Sequence, residues 1–284
     1  MSMLRGQKLN RLQHLLPEGL LADARWLEAQ GYSSALRSKY VARGWLEQPA
    51  RGVFTRPGGV RRWEQVVISL QSMLRLPVAV GGRSALQLHG YGHHLPLGGE
   101  ARVLLYTECA LPSWLGKPTL DVEFETRNAR RLFSMPGLRE AVAALPNPSA
   151  ALGTGNESEF FQPGLQTVPW SHHDWTLLVS TPERAILELL DELPDRETFE
   201  SVDVVMEGLR TLRPRQLQAV LAACVNVKVN RLFLWFAERH GHPWLRHLNT
   251  DRVRTGSGKR VIAKGGRLDR KYLITVPETL HGDT

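Results

Sequence analysis

Cysteine is scarce in this chain: Cys109 and Cys224 are the two it has, 115 positions apart and outside any CxxC spacing. That excludes a disulfide framework and a zinc finger built on paired cysteines, and both thiols are expected to be reduced. Long apolar runs are missing too. None reaches the roughly 18 residues of a membrane span, the longest stretches being interrupted by Arg75, Pro77 or Arg231. The first 19 residues contain basic side chains but no continuous apolar segment and no small-residue cleavage pattern, so no secretory signal is expected and the protein is placed in the cytoplasm without a membrane partner. Neither GxxxxGK[ST] nor GxGxxG occurs. The GSGK at 256–259 lacks both the earlier glycine and the following Ser or Thr of a phosphate loop, and no cofactor is expected. HExxH is also absent. The histidines fall in three groups, His93-His94, His172-His173 beside Asp174, and His240, His242 and His247. Adjacent histidines on a strand point to opposite faces, so no metal site is expected from them.

What remains is a chain of ordinary globular make-up, 42% hydrophobic and 23% charged over 284 residues, long enough for two domains. Acid is in deficit, and unevenly. Residues 1–75 have 12 Lys+Arg against 5 Asp+Glu, residues 76–245 have 15 against 19, and residues 246–284 have 9 against 4. A basic first quarter attached to a mildly acidic body is the electrostatic footprint of a nucleic-acid-binding module carried by a domain with another task. We therefore divide the chain at 75/76.

The first quarter reads as an ordered series of elements. Leu9, Leu12, Leu15 and Leu16 recur at helical spacing until Pro17 and Gly19 stop them, which predicts a first helix. Asp23 is placed to cap a short helix over 24–30 that buries Trp26 and Leu27 and ends at Gly31. Ser33 is the next cap candidate, for a helix over 34–43 that puts Leu36 and Tyr40 on one face before Gly44. Two short helices joined by a tight Gly-containing turn form a helix-turn-helix, whose second helix enters a major groove. Residues 45–55 then predict strand, turn, strand, with 49–52 as the turn and Arg51 at its tip; a basic-tipped hairpin after a recognition helix is a wing. On this reading the DNA-contacting set is Ser33, Ser34, Arg37, Ser38, Lys39, Arg43, Arg51 and Arg56. Lys39, Arg51 and Arg56 are assigned to phosphates, and Ser34, Arg37 and Ser38 to base edges or their waters.

The run WLEAQGYSSALRSKYVARGWLEQPARGVFTRPG at 26–58 resembles the winged helix-turn-helix of AbiEi-family antitoxins from type IV toxin–antitoxin systems. GGRSALQLHG (81–90), LLVSTPERAILELLDELP (177–194) and GGRLDRKYLITVP (265–277) are similar to further segments of that family, in the same order. The resemblance implies a bacterial phage-defence repressor whose N-terminal domain binds inverted repeats in its own promoter. It also implies a larger C-terminal domain that counteracts a neighbouring nucleotidyltransferase toxin, often without a stable complex. By position, the family's DNA-reading helix is 33–43 and its wing 46–55. Residues 146–170 are richer in Gly, Pro and Asn than the family's core.

In the body, 63–74 predicts a continuous amphipathic linker helix with Trp63, Val66, Val67, Leu70 and Leu74 on one face, ended by Pro77. A short helix over 81–90, strands over 102–108, 119–126 and 177–180, and a helix opened by Thr181-Pro182 follow. Further helices are predicted over 202–212, 215–223 and 230–239, then tail strands over 261–263 and 272–276. The fold class is α+β, a winged helix-turn-helix followed by a larger mixed α/β domain. Asp121, Glu123 and Glu125 alternate with apolar residues in the 119–126 strand; they read as one solvent-facing acidic face, with a metal-dependent nuclease as the enzymatic alternative and divalent metal at Asp121 and Glu123 as its signature. The other alternative is a ligand-responsive winged-helix regulator. Arg252, Arg254, Lys259, Arg260 and Lys264 form either a solvated loop or a second anionic contact, with operator DNA, the toxin or its RNA substrate. The leading reading is a non-enzymatic repressor and antitoxin whose partners are double-stranded promoter DNA and a toxin.

Overall fold

A computed structural model describes residues 2–58, 62–91, 101–117, 122–148, 164–170 and 175–280. Asp121, His93, His94, His172, His173, Asp174 and most of 146–170 lie outside the described residues.

The chain opens with α1 (Ser2–Leu15), β1 (Leu21–Asp23), α2 (Ala24–Ala29) and α3 (Ser34–Ala42), then the hairpin β2 (Glu47–Ala50) and β3 (Val53–Thr55). Of the stripe that the helical spacing predicts, Leu12 and Leu16 are fully buried and Leu9 and Leu15 half-buried, and Leu20, Leu21 and Leu27 join the same core. Asp23 caps α2 as expected, its Oδ1 accepting from the Trp26 N–H at 2.7 Å. Ser33 occupies the cap position of α3 but makes no side-chain capping bond, so its hydroxyl stays on the surface. The hairpin turn is tighter than the predicted four residues. Arg51 and Gly52 alone connect the strands, with Gly52 at φ +78°, a backbone state that glycine adopts without steric cost. Pro49 sits in β2, an edge strand, where its missing N–H is harmless. The three-residue strand β1, which local pattern does not signal, pairs antiparallel with β3 (Leu21↔Thr55, Asp23↔Val53) and gives a sheet of order β1-β3-β2.

The linker departs from the continuous α-helix predicted over 63–74. It begins as α4 (Trp63–Ile68) and widens into a π-helical turn, Ser69–Met73. Ser69 explains the change: its Oγ donates to the Gln65 carbonyl at 2.6 Å and accepts the β1 amide of Leu21 at 2.8 Å, intruding on the helical ladder. Within the turn, Gln71 is fully buried and its side-chain amide bridges two strands of the body. Nε2 donates to the carbonyls of Val78 and Leu178, and Oε1 accepts the Leu178 N–H, all at 3.0 Å.

Those strands belong to a five-stranded sheet of order β6-β5-β4-β8-β7, built from β4 (Val78–Val80), β5 (Ala101–Thr107), β6 (Val122–Asn128), β7 (Leu165–Trp170) and β8 (Trp175–Ser180). β5 pairs parallel with β6 and β4 parallel with β8; the other two pairs are antiparallel. Period-two alternation sends Val78, Val80, Val103, Leu105, Leu177 and Val179 to one face, where they join one core with Leu12, Leu16, Val66, Ile68 and Leu70. Ala79, Leu104, Tyr106 and Leu178 face the other side, against Leu138, Ala141 and Val142 of α6 (Leu138–Ala144). The apolar core of the winged module is therefore continuous with one face of the body sheet.

Beyond the sheet lie α5 (Gly82–Leu88), α7 (Pro182–Asp191), α8 (Phe199–Gly208), α9 (Pro214–Ala223) and α10 (Val227–Arg239), whose apolar faces form the largest core. The helix predicted over 202–212 spans 199–208, its start set by Thr198, which caps it by accepting the Ser201 N–H at 3.1 Å. The tail differs as well. β10 (Ile274–Val276) pairs antiparallel with β9 (Arg267–Asp269), a strand the sequence does not signal. The predicted strand over 261–263 instead runs beside β10 through the amides of Arg260 and Ala263.

Candidate nucleic-acid interface

The surface of α3 is set by which of its residues the core takes. Tyr40 is 3% exposed, packed against the rings of Tyr32 and Trp45, and Leu36 is half-buried against the same core. This fixes the opposite side outward: Ser33, Ser34, Ser38 and Arg43 are exposed and Lys39 is half-exposed. The guanidinium of Arg43 lies 5.2 Å from the Trp45 ring, a stacking contact that holds the side chain beside the end of the helix. Arg51 is exposed at the hairpin tip. Arg56 is half-buried and folds back on α1, donating to the Gln13 carbonyl at 3.3 Å and lying 3.8 Å from Glu18.

Arg37 corrects the expectation of an exposed base reader. It is 7% exposed. Its Nη1 donates to the Tyr32 carbonyl at 2.6 Å, its guanidinium stands 5.8 Å from the Phe54 ring, and Glu28 lies 3.8 Å away. Arg37 thus ties α3 to the α2–α3 turn and to β3, a buttress behind the helix and not a group on its outer face. In the folded helix 36, 37 and 40 share the inward stripe, while 34, 35, 38 and 42 form the outer one. Ala35 and Ala42, exposed on that outer stripe, belong to the presented surface too; small methyl groups there suit apolar contact with a thymine methyl. Arg25 on α2 is a further exposed cation.

The acidic strand in the body is an ion-paired edge. Arg102 lies 3.8 Å from Glu123 and 3.2 Å from Glu125, and Arg127 reaches Glu125 and Glu192, both at 2.6 Å. Among the described residues no group of three or more His, Cys, Asp or Glu is arranged to hold a metal ion. His240 bonds Asp203 at 2.7 Å, and His242 donates through Nε2 to the Met206 carbonyl at 2.6 Å. Deeper in the body, Glu188 is fully buried and accepts from the Gly82 N–H (2.8 Å), Ser180 Oγ (3.0 Å) and Arg184 Nε (2.9 Å), locking α5, β8 and α7 together. Burial raises its pKa above the usual carboxylate value.

Three short helices, the third presenting a polar outer face, and a small sheet ending in an Arg-tipped hairpin define a winged helix-turn-helix, here followed by a larger mixed domain. Residues 5–97 match the family model described as the N-terminal domain of the AbiEi antitoxin transcriptional regulator, and residues 100–277 match that of the transcriptional regulator, AbiEi antitoxin, of the type IV toxin–antitoxin system. The chain belongs to this family of AbiEi antitoxin transcriptional regulators. No curated protein matches it. Among solved structures, the RV2827C protein from Mycobacterium tuberculosis shares the fold with a TM-score of 0.51 and 14% identity, over 95% of this chain and 89% of that one. No helix among the described residues is long and apolar enough to cross a membrane.

Proposed function

We propose that the protein acts in the cytoplasm as a sequence-specific repressor of its own operon and as the antitoxin to a nucleotidyltransferase toxin encoded beside it. The outer stripe of α3, flanked by the exposed Arg51 of the wing, carries the DNA part of this reading. Hydroxyls and methyl groups at 34, 35, 38 and 42 suit direct or water-mediated contact with base edges, with Ser33 at the start of the stripe. Lys39, Arg43 and Arg51 suit phosphates, where charge sets affinity and register without carrying sequence information. Arg56, drawn onto α1, is a phosphate contact at the margin of that surface. Arg37 supports the helix from behind. Family membership and the larger α/β body support the antitoxin role, and the partners are promoter DNA with inverted repeats and the toxin.

A mobility shift with the full-length protein and its own upstream region, at two salt concentrations, tests the repressor role. The full chain is needed because truncation after residue 75 strips the body sheet from Val66, Ile68 and Leu70. Ser34→Ala/Ser38→Ala is expected to lose preference for the promoter over unrelated DNA while keeping non-specific binding. Equal affinity of the wild type for both DNAs sinks the repressor reading. Co-expression with the neighbouring toxin tests the antitoxin role: growth is restored if the reading is right and stays arrested if it is wrong.

A further inference from the structure

The helical side of the body contains a buried cation that makes no ion pair among the described residues. Arg231, on α10, is 1% exposed. Its Nε donates to the Thr255 carbonyl at 2.5 Å, and its Nη1 to the carbonyls of Gly258 at 2.7 Å and Leu273 at 3.3 Å. Neutral carbonyls take those three donors, and Nη2 has no acceptor among the described residues. Burial pushes the Arg231 pKa down, and the neighbouring charge that acts on it is a second cation, Arg260. Arg184 provides the contrast. Equally buried, it has Glu188 at 2.9 Å. An uncompensated buried charge is strongly destabilising, so its retention calls for an opposite charge from outside the chain.

The surroundings give that charge a place. Arg231 lines a cleft of about 220 Å³ together with Thr250, Thr255, Lys271, Tyr272 and Glu238. Glu238 is the one acid in the lining, and Lys271 bonds it at the rim, so the cleft is not acidic overall. The Nη2 group supplies the guanidinium donors left for an anion, and the threonine hydroxyls can serve further oxygens of a tetrahedral one. We propose that this cleft binds a phosphoryl group, with the Nη2 donors of Arg231 and the hydroxyls of Thr250 and Thr255 as its contacts and Lys271 closing the rim. A purely structural clamp accounts for the three carbonyl bonds, but it leaves the charge without a counterion, and Nη2 is open to the cleft that Arg231 lines.

The test uses the full-length protein in a phosphate-free buffer and follows thermal unfolding and calorimetric binding with orthophosphate, a nucleoside 5′-monophosphate, and chloride at matched ionic strength. Phosphate or the nucleotide is expected to raise the unfolding midpoint where chloride does not. Tighter binding of orthophosphate identifies a free anion as the ligand, and tighter binding of the nucleotide identifies a phosphoryl group carried on a nucleoside. Because Arg231→Gln is liable to unfold the tail, Lys271→Ala and Thr255→Val are the informative variants, the second keeping the backbone carbonyl that Arg231 uses. Each is expected to weaken binding about tenfold, the scale of one charge-assisted hydrogen bond. Arg252→Ala, exposed and outside the cleft, is expected to leave it unchanged. No midpoint shift beyond that of chloride overturns the proposal, and so does an equal loss from Arg252→Ala and Lys271→Ala, which marks diffuse attraction to a basic surface.

Discussion

Arg37→Ala separates a residue that reads DNA from one that supports the helix that does. The Tyr32 carbonyl accepts a bond from Arg37 at 2.6 Å within the buried module. A hydrogen bond with one charged partner is worth about 1.5–3 kcal/mol, and its loss leaves a buried acceptor unsatisfied. The 5.8 Å contact with Phe54 adds about 0.5–1 kcal/mol. Glu28 adds little, being 70% exposed and 3.8 Å away. The expected loss is about 2–3 kcal/mol, equivalent to roughly 3–5 °C in unfolding midpoint for a chain of this size. The assay is thermal unfolding of wild type and variant, followed by promoter titration well below both midpoints. A supporting role predicts a large midpoint drop and a loss of affinity shared by all base substitutions in the operator. An unchanged midpoint together with relaxed preference at a single base pair would refute the reasoning, because it would mean that Arg37 leaves Tyr32 to reach a guanine.

Arg51→Ala is expected to weaken binding to every DNA sequence and to flatten the slope of log affinity against log salt by about 1, the signature of one lost phosphate contact; filter binding at several salt concentrations measures it. Gln71→Leu leaves the Val78 carbonyl and both Leu178 backbone groups without partners, and chemical denaturation is expected to show a loss of about 2–5 kcal/mol; a loss below about 0.5 kcal/mol means that the strands re-pair without it. His89 and His242 donate to the carbonyls of Ser180 and Met206, and burial pushes both pKa values below their ordinary 6.5. Both are neutral in the fold and more readily protonated when unfolded. Their contribution is thus fully present above pH 6.5 and is lost as the pH falls through the lowered folded-state values. Unfolding midpoints between about pH 7.5 and 5 are expected to decline, and less steeply in a His242→Asn variant.

Much of the winged module was legible in the sequence because its signals are local. A cap at Asp23, positive-φ glycines at 31, 44 and 52, and a leucine stripe at helical spacing depend on neighbours a few residues away. The period-two strands and the helix opened by proline at 182 are local in the same sense, and so is the charge imbalance of residues 1–75. Tertiary structure decided what depends on distant partners. β1 is three residues long and exists because β3 pairs with it, and β9 exists because β10 does. The π-helical turn follows from Ser69 meeting Leu21, 48 positions away. Position within the element did not by itself settle the fate of an amphipathic side chain such as arginine. The same guanidinium is at home on a phosphate or beneath a helix, and only the presence of the Tyr32 carbonyl and the Phe54 ring decided that Arg37 turns inward. Arg231 is the counterpart in the body. In the sequence it is only an interruption of an apolar stretch, and the three carbonyls around it appear only once residues 255, 258 and 273 are folded against α10.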